Sequence, residues 1–298
     1  MKKIEAIGEA GLIRRLAAKI SVDKTVVKGI GDDCAVIDFG RQYLLLTCDM
    51  IVEGVDFMRT TDPALVGRKA LAISASDIAS CGGVPRYCLV SLGLPRGYSL
   101  ASVDRFYKGM RGLARSLEVN IVGGDMSRAS RLTVDVSLAG TVEKRNLVLR
   151  SGARPGDVVF VTGSFGGSIK GKHLSFTPRV AQARYLVTRF RPTSMIDASD
   201  GLCRDLYHIL EESGVSALLH QDLIPQSKAS TGIADALYSG EDFELIFTVA
   251  KKDAAAVAAS KRFRFFPVGT VLPAGDGLLL AGRSGAPRRL AVKGYSHF

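Results

Sequence analysis

The spacing of apolar residues predicts two long helices and several strands in the first half of the chain. Asp62 supplies a capping carboxylate and Pro63 suits the first helical position, so a helix is expected to start there. Gly82 and Gly83 mark its end. A second helix is expected over 99–118, where apolar residues recur every three or four positions. Runs of apolar residues, alternating in the last case, predict strands at about 42–48, 86–92 and 131–142.

A second set of strands and helices follows a turn-rich segment at 150–156, which we interpret as the seam between two halves. Strands are predicted at 158–161, 194–196 and 244–249, and helices at 202–213 and up to Ala259. Strands that alternate with helices indicate an α/β (or α+β) protein. We expect an N-terminal domain over 1–147 and a C-terminal domain over 148–298.

The composition indicates a globular protein of two domains. The chain has 298 residues, of which 47% are hydrophobic and 23% are charged, so it is too apolar for a disordered chain. A membrane span needs about 20 nearly uncharged apolar residues. The most apolar stretch, 43–55, is interrupted by Asp49 and Glu53, and charged residues near the N-terminus break any signal-peptide core. We therefore expect a soluble, cytoplasmic protein with no membrane partner.

The residue composition and net charge restrict the metal sites and partners that can be expected. Five cysteines without a Cys-x-x-Cys pair are expected to be reduced, buried thiols, and four scattered histidines argue against a structural zinc site. A net charge of +11 suits anionic substrates or nucleic acid. The basic and aromatic segment 261–266 is the main nucleic-acid signal, but its alternation favours a strand with an exposed basic face. We therefore expect no nucleic-acid partner.

Carboxylates lie at the edges of short apolar runs at four places, in most cases beside glycine. The four segments are 29–33, 47–49, 123–125 and 197–201. Any one of them alone is typical of a turn. Together they put many carboxylates at strand ends, where ligand sites gather, in a chain that is otherwise basic. An oxygen-rich cage of this kind suits Mg²⁺ bound with substrate phosphates, and it favours phosphoryl transfer.

Two further features bear on phosphate chemistry. Asp77 lies among small, mostly apolar residues of a predicted helix, so its carboxylate is either paired, metal-bound or exposed. The segment 166–173 matches the P-loop pattern G-x-x-x-x-G-K, but His173 replaces the Ser or Thr that binds Mg²⁺ in that motif. A connector is the favoured interpretation of this segment, and a degenerate P-loop is the alternative.

Eight motifs follow one another along nearly the whole chain. They are GIGDD (29–33), TCDMIVEGVDF (47–57), KALAISASDIA (69–79), VGGD (122–125), RSGARPGD (150–157), IDASDGL (196–202), GEDFEL (240–245) and GYSHF (294–298). Each is a weak signal alone, but the ordered set is specific. It resembles the thiamine-monophosphate kinase family, in the superfamily of aminoimidazole ribonucleotide synthetase and selenophosphate synthetase.

The resemblance implies transfer of the ATP γ-phosphate to thiamine monophosphate, which yields thiamine diphosphate. It implies an aminoimidazole-ribonucleotide-synthetase-like fold of two α/β lobes. The N-terminal domain would bind ATP and Mg²⁺ and form a homodimer, and the C-terminal domain would complete the nucleotide and substrate site. ATP is then a co-substrate and several Mg²⁺ ions are the cofactor. No catalytic acid or base is expected, since positioning and metal ions can suffice.

Three groups of site residues are carried over by position from the resemblance. The expected Mg²⁺ ligands are Asp33, Thr47, Cys48 (through its backbone oxygen), Asp49, Asp77, Asp125, Asp197 and Asp200. The expected ATP contacts are Gly124, Asp125, Arg150 and Ser199. The expected substrate contacts are Asp56, Glu241 and Phe298, with Phe298 packing against an aromatic ring.

Several departures from the family pattern concern the substrate. The family usually has histidine where this chain has Asp56 and a second glycine where it has Ser239, and the usual Gly-Asp-Ser is missing around 165–171. Asp56 either acts on the substrate side, through Mg²⁺ or against the thiazolium ring, or is displaced and solvated. We favour the substrate-side role, because Gly54 and Phe57 keep the motif in register.

The main alternative function is that of another ATP-using enzyme of the superfamily, of the hydrogenase-maturation or purine-synthesis type. The segments 240–243 and 295–298 favour the thiamine interpretation. A basic nucleic-acid-binding protein is the alternative from a different functional class.

Overall fold

The first half of the chain forms a six-stranded sheet in a computed structural model that describes residues 4–282 and 286–295. Its strands are β1 (Val26–Lys28), β2 (Ala35–Phe39), β3 (Gln42–Val52), β4 (Val84–Leu94), β5 (Asn120–Arg128) and β6 (Thr133–Glu143). Their order across the sheet is β1-β2-β3-β6-β4-β5. The β4–β5 pair is parallel and the other pairs are antiparallel.

In the described part of this half, the α-helices are α1 (Gly8–Ala17), α2 (Pro63–Ser80) and α3 (Leu100–Leu117). The predictions of α2 and α3 are confirmed. The Asp62 side chain accepts a hydrogen bond from the Ala64 N–H at 2.9 Å and thereby caps α2, while Ser99 caps α3. The two helices cross closely, since a Cβ on Gly67 would lie 2.1 Å from the Phe106 carbonyl oxygen.

The two faces of the first sheet differ. Alternate residues of β6, such as Val134 and Val136, are fully buried under α2 and core side chains. The opposite face carries apolar side chains that are 41–59% exposed, and we call it the open face. Its exposed apolar residues are Leu46, Met50, Tyr87, Leu89 and Val122.

The second half forms a seven-stranded sheet. Its strands are β7 (Val158–Val161), β8 (Ser194–Asp197), β9 (Ser216–His220), β10 (Leu245–Val249), β11 (Phe266–Leu272), β12 (Leu278–Ala281) and β13 (Arg288–Arg289). Their order is β13-β12-β9-β11-β7-β10-β8, and β9–β12 is the parallel pair. The helices of this half are α4 (Lys172–Ser175), α5 (Val180–Arg189), α6 (Leu202–Ser213), α7 (Ile233–Tyr238) and α8 (Lys251–Ala258).

Helix α2 lies between the two halves. It packs on β3 and β6 of the first sheet and also contacts α4, α5 and β8 of the second half. Phe176 and Phe243 come from the second half, yet they stack at 4.2 Å and belong to the apolar core of the first. Residues of both halves therefore meet around α2.

Two expectations from the sequence need correction. The segment 261–266 is not a strand, because β11 begins only at Phe266. Phe265 is buried and contacts Phe247, so the aromatic residues there anchor the segment by packing rather than by pairing. The five cysteines are free thiols, but Cys48 is exposed while the other four are buried.

The segment 166–173 contains a 3₁₀ turn (Ser168–Lys170) and the start of α4. Within the described ranges, no helix has the length and apolar character needed to cross a membrane.

Candidate active site

Three carboxylates meet where the two halves contact each other. One oxygen from each of Asp33, Asp77 and Asp197 lies within 4.8 Å of the other two, and we call these three residues the carboxylate cluster. Asp33 comes just before β2, Asp77 lies on α2, and Asp197 is the last residue of β8. The fold thus brings together residues of the motifs at 29–33, 69–79 and 196–202.

Hydroxyl groups orient two of these carboxylates. Ser76 donates to Asp197 at 2.6 Å, which joins α2 to β8. Thr47 on β3 donates to Asp77. Asp49, two residues further along β3, lies close enough that its charge raises the pKa of Asp77. Three of the expected metal ligands from β3 and α2 are therefore neighbours in the structure.

Burial and mutual repulsion disfavour the ionised forms of these acids. Burial, and then the Asp33 charge, raise the pKa of Asp197 to about 8. Burial raises the pKa of Asp49 to about 6, with further contributions from Asp135 and Asp33. Burial and the charges of Asp49, Asp197 and Asp33 raise the pKa of Asp77 well above its ordinary value. A bound cation would relieve this repulsion.

Arg150 is the cation beside the cluster. Its side chain forms an ion pair with Asp33, with Nε at 2.9 Å from Oδ1, and its backbone N–H donates to Asp32 at 3.1 Å. Burial lowers the pKa of Arg150, but the Asp33 charge outweighs this and raises it above the ordinary value. Burial and the Asp33 charge raise the pKa of Asp32 to about 6.

The donor set fits a hard divalent cation such as Mg²⁺. Among the described residues, the buried oxygens Asp33 Oδ2 and Asp49 Oδ2 accept no hydrogen bond. Leaving such oxygens unpaired is costly, and carboxylate oxygens are the ligands that Mg²⁺ prefers. Cys48 exposes its side chain on the sheet, so only its backbone oxygen could join such a site.

The loop after β8 carries Ser199 and Asp200 beside the cluster. Asp205 is buried and accepts hydrogen bonds from the N–H groups of Asp200 and Gly201, at 2.9 and 3.0 Å. Asp200 also lies 3.3 Å from Arg204 Nε. The Ser199 carbonyl accepts from the Glu241 N–H at 2.6 Å, which ties this loop to the 240–243 segment.

The structure does not bring Asp125 to the cluster within one chain. Paired residues on neighbouring strands share a face of the sheet, and successive residues alternate between the two faces. Across β3, β6, β4 and β5, the residues paired with one another on the buried face are Asp49, Val136, Val90 and Gly124. The next set of paired residues, on the open face, is Met50, Asp135, Ser91 and Asp125. Asp125 is therefore on the open face, three strands and about 14 Å from the level of Asp49. Gly124 passes so close to β4 that a Cβ would lie 1.9 Å from the Val90 carbonyl oxygen.

The predicted substrate residues lie at the N-terminal half of α2, where Lys69 precedes Asp77 by about 12 Å along the helix. Lys69 is buried, and its Nζ donates to Glu241 Oε1 at 2.5 Å and to the Asp56 carbonyl oxygen at 2.9 Å. The Asp56 carboxylate accepts from the Val52 N–H at 2.7 Å, so it closes the turn after β3. Tyr295 lies within electrostatic reach: burial, and then the charges of Asp56 and Glu241, raise its pKa. Phe298 lies outside the described residues.

A cavity of about 450 Å³ adjoins this region. The turn after β3 and the start of α4 line it, including Asp56, Phe57, Lys170 and His173. Part of the segment 166–173, which departs from the P-loop pattern, thus lines this cavity together with Asp56.

Four residues of the site were not singled out from the sequence: Asp32, Lys69, Ser76 and Asp205. Asp32, Lys69 and Ser76 lie inside motifs that were recognised as wholes, and their individual roles depend on contacts across the two halves. Asp205 had a local signal, because an acidic residue in the first turn of a helix often binds N–H groups of that turn.

Comparison with known proteins identifies the family. Residues 31–142 match the family described as AIR synthase related protein, N-terminal domain. Thiamine-monophosphate kinase of Aquifex aeolicus (strain VF5) is 31% identical to this chain, over 99% of the chain and 100% of that protein. The chain belongs to the thiamine-monophosphate kinase family.

A structure of this family supports the assignment, and a more distant structure shares the fold. AaThiL complexed with AMPPCP and TMP matches with a TM-score of 0.89 at 30% identity, over 100% of this chain and 99% of that one. The hydrogenase maturation protein HypE of E. coli matches with a TM-score of 0.72 at 19% identity, over 96% of this chain and 98% of that one, and so shares the fold alone. The predicted fold class and the thiamine-monophosphate kinase resemblance are confirmed.

Proposed function

We propose that this protein transfers the γ-phosphate of ATP to thiamine monophosphate and forms thiamine diphosphate. The observation that carries the proposal is the carboxylate cluster, Asp33, Asp77 and Asp197, at the meeting point of two halves in a chain of this family. A family structure complexed with AMPPCP and TMP supports both substrates. The greater identity to this family than to HypE argues against a hydrogenase-maturation role.

Mg²⁺ is the proposed cofactor. The residues that would hold it are Asp33, Thr47, Cys48 (backbone oxygen), Asp49, Asp77, Asp125, Asp197 and Asp200. Bound divalent cations neutralise the charge of phosphate groups during their transfer. The unpaired buried oxygens of Asp33 and Asp49 support this assignment.

The other proposed site residues bind the two substrates and align them. We assign ATP contacts to Gly124, Asp125, Arg150 and Ser199, and thiamine-side contacts to Asp56, Glu241 and Phe298. Arg150 is held by Asp33 and can offer its remaining N–H groups to phosphate oxygens. No general base is assigned, because an oxygen of the acceptor phosphate is already a competent nucleophile once it is aligned.

We propose that the active unit is a homodimer formed through the open face. This face exposes Leu46, Tyr87, Leu89 and Val122 around an apolar depression of about 480 Å³, which monomers seldom leave uncovered. Asp125 lies on the same face, away from the cluster of its own chain. A partner subunit would thus be the source of Asp125 for the site.

Mixed dimers test this arrangement. Asp77→Asn and Asp125→Asn subunits are each expected to be inactive alone. If Asp125 acts on the partner's site, refolding the two together in equal amounts restores about a quarter of wild-type turnover, because half of the dimers contain one intact site. No recovery in mixed dimers would contradict a contribution across the interface.

We also propose the division into domains 1–147 and 148–298. The first sheet ends at Glu143 and the second begins at Val158, which supports a boundary between them. On this division the first domain supplies Asp33, Asp49 and Asp77, and the second supplies Arg150 and Asp197.

Product analysis tests the proposed reaction directly. The protein is incubated with ATP, Mg²⁺ and thiamine monophosphate, and the products are separated by chromatography. We expect thiamine diphosphate and ADP in equal amounts, and no product when free thiamine replaces the monophosphate. Efficient phosphorylation of thiamine, or ATP consumption without thiamine diphosphate, would refute the proposal.

A further inference from the structure

The buried ammonium group of Lys69 links two segments that come from different halves of the chain. Its side chain is only 1% exposed. Nζ donates to the Asp56 carbonyl oxygen in the turn after β3 and to Glu241 Oε1 in the segment before β10. Taking an ammonium group out of water is costly unless it is well bonded, so the two contacts are strongly preferred.

The segment that receives Lys69 is held in an unfavourable backbone conformation. Glu241 has φ +56° and Phe243 has φ +50°, a region that residues with a Cβ seldom adopt. Surrounding contacts maintain it: the Glu241 N–H donates to the Ser199 carbonyl at 2.6 Å, and Ser168 donates to the Glu241 carbonyl at 2.6 Å. These two bonds fix the Glu241 backbone. The hydrogen bond from Lys69 instead fixes the Glu241 carboxylate.

The Glu241 side chain is 26% exposed while Lys69 is enclosed. Glu241 can therefore meet a ligand, and Lys69 acts behind it. We propose that Lys69 is a positioning residue for the thiamine end of the substrate, which fixes the Glu241 carboxylate against the Asp56 turn. This inference rests on the proposed function and adds a residue to which no role has been given.

Loss of the Lys69 ammonium group should weaken the binding of thiamine monophosphate more than the binding of ATP. The Asp56 turn and Glu241 contact α2 at Lys69, whereas the carboxylate cluster beside Arg150 includes Asp77, about 12 Å further along the helix. Replacing Lys69 by methionine removes the ammonium group without burying a new charge. The Glu241 carboxylate then samples several orientations, so the KM for thiamine monophosphate should rise while the KM for ATP stays nearly constant.

Steady-state kinetics of a double-mutant cycle test the proposal. The variants are Lys69→Met, Glu241→Gln and the two combined, with Arg68→Met as a matched control. Arg68 also joins α2 to the second half, through the Ser175 and Phe176 carbonyls, without contacting Glu241. We expect Lys69→Met to raise the KM for thiamine monophosphate about tenfold and the KM for ATP less than about twofold, the scale of one charge-assisted hydrogen bond. Arg68→Met should leave both constants within about twofold of wild type.

In the Glu241→Gln background, Lys69→Met should add less than about threefold to the KM for thiamine monophosphate, because the two residues act as a unit. Equal changes in both KM values, no change, or full additivity would overturn the proposal. If Lys69→Met does not fold, the Glu241→Gln variant provides the test. An unchanged KM for thiamine monophosphate in that variant overturns the positioning role of Lys69. Wild-type protein that forms no thiamine diphosphate in the same assay would instead refute the proposed function.

Discussion

The carboxylate cluster and the buried carboxylate of Glu244 have opposite electrostatic surroundings. The carboxylate cluster gathers Asp33, Asp77 and Asp197, and Arg150 forms an ion pair with Asp33. Glu244, just before β10, is buried and is bonded by Arg179 at 2.7 Å and by Lys172 at 2.9 Å. We call Glu244, Arg179 and Lys172 the ion-paired group.

The pKa values follow this difference. Burial raises the pKa of Asp197 to about 8, and neighbouring acids add to the shift. Burial also raises the pKa of Glu244, but Arg179 and Lys172 outweigh it and hold the pKa below its ordinary value. Burial by itself therefore does not mark a functional carboxylate. An excess of acids over cations distinguishes the carboxylate cluster from Glu244, and it supports the proposed Mg²⁺ site.

The first prediction, with the largest expected effect, concerns the carboxylate cluster. Asp77→Asn keeps the shape of the side chain and removes one charge. We expect kcat/KM to fall by at least about 100-fold, while the metal-free protein becomes no less stable, because repulsion with Asp49 and Asp197 is relieved. Enzyme assays and thermal unfolding in a chelator measure the two quantities. Near-normal turnover at limiting Mg²⁺, or a clear loss of stability, would contradict the account.

The second prediction is the opposite pattern in the ion-paired group. Arg179→Met leaves the buried Glu244 with Lys172 as its remaining cation. Breaking a fully buried pair costs about 3–5 kcal/mol; since the Arg179 side chain is 26% exposed, we expect a loss of about 2 kcal/mol. Turnover per folded molecule should stay within a few-fold of wild type. Denaturant unfolding measures the stability, and assays of the folded fraction measure the turnover. A large loss of turnover at unchanged stability would contradict a purely structural role of the ion-paired group.

The third prediction, the smallest effect, concerns pH. Because the folded-state pKa of Glu244 lies below its ordinary value, its charge stabilises the fold above the unfolded pKa of about 4.3. This stabilisation is lost as the pH falls through the folded pKa. The difference in unfolding free energy between wild type and Glu244→Gln should therefore be constant near neutral pH and shrink below about pH 4. A difference that grows on acidification would disprove this sign.

Helices and strands were predicted correctly from the sequence where capping residues or apolar spacing within the element marked them. The cap at Asp62 and the apolar spacing after it located α2, and alternation located β6. The prediction of a strand over 261–266 is wrong, because its alternating aromatic residues pack in a side-chain cluster instead of pairing as a strand.

The site was predicted less completely, for a physical reason. The motifs indicated which carboxylates matter, but they gave no distances, so the separation of Asp125 from Asp33 and Asp77 became clear only from the strand order. The Lys69 contact joins residues 172 positions apart, and no local pattern encodes such a bond. The hydrogen bond from the Val52 N–H to the Asp56 carboxylate was not predicted either, because the sequence gives no turn geometry.

A titration of metal-free protein with Mg²⁺ tests the central claim most directly. Wild type, Asp77→Asn and Arg179→Met are compared by calorimetry and thermal unfolding. We predict that Mg²⁺ binds wild type and raises its Tm, that Arg179→Met retains the same increase from a lower starting Tm, and that Asp77→Asn loses it. An equal increase in Tm for wild type and Asp77→Asn would contradict a cation site at the carboxylate cluster.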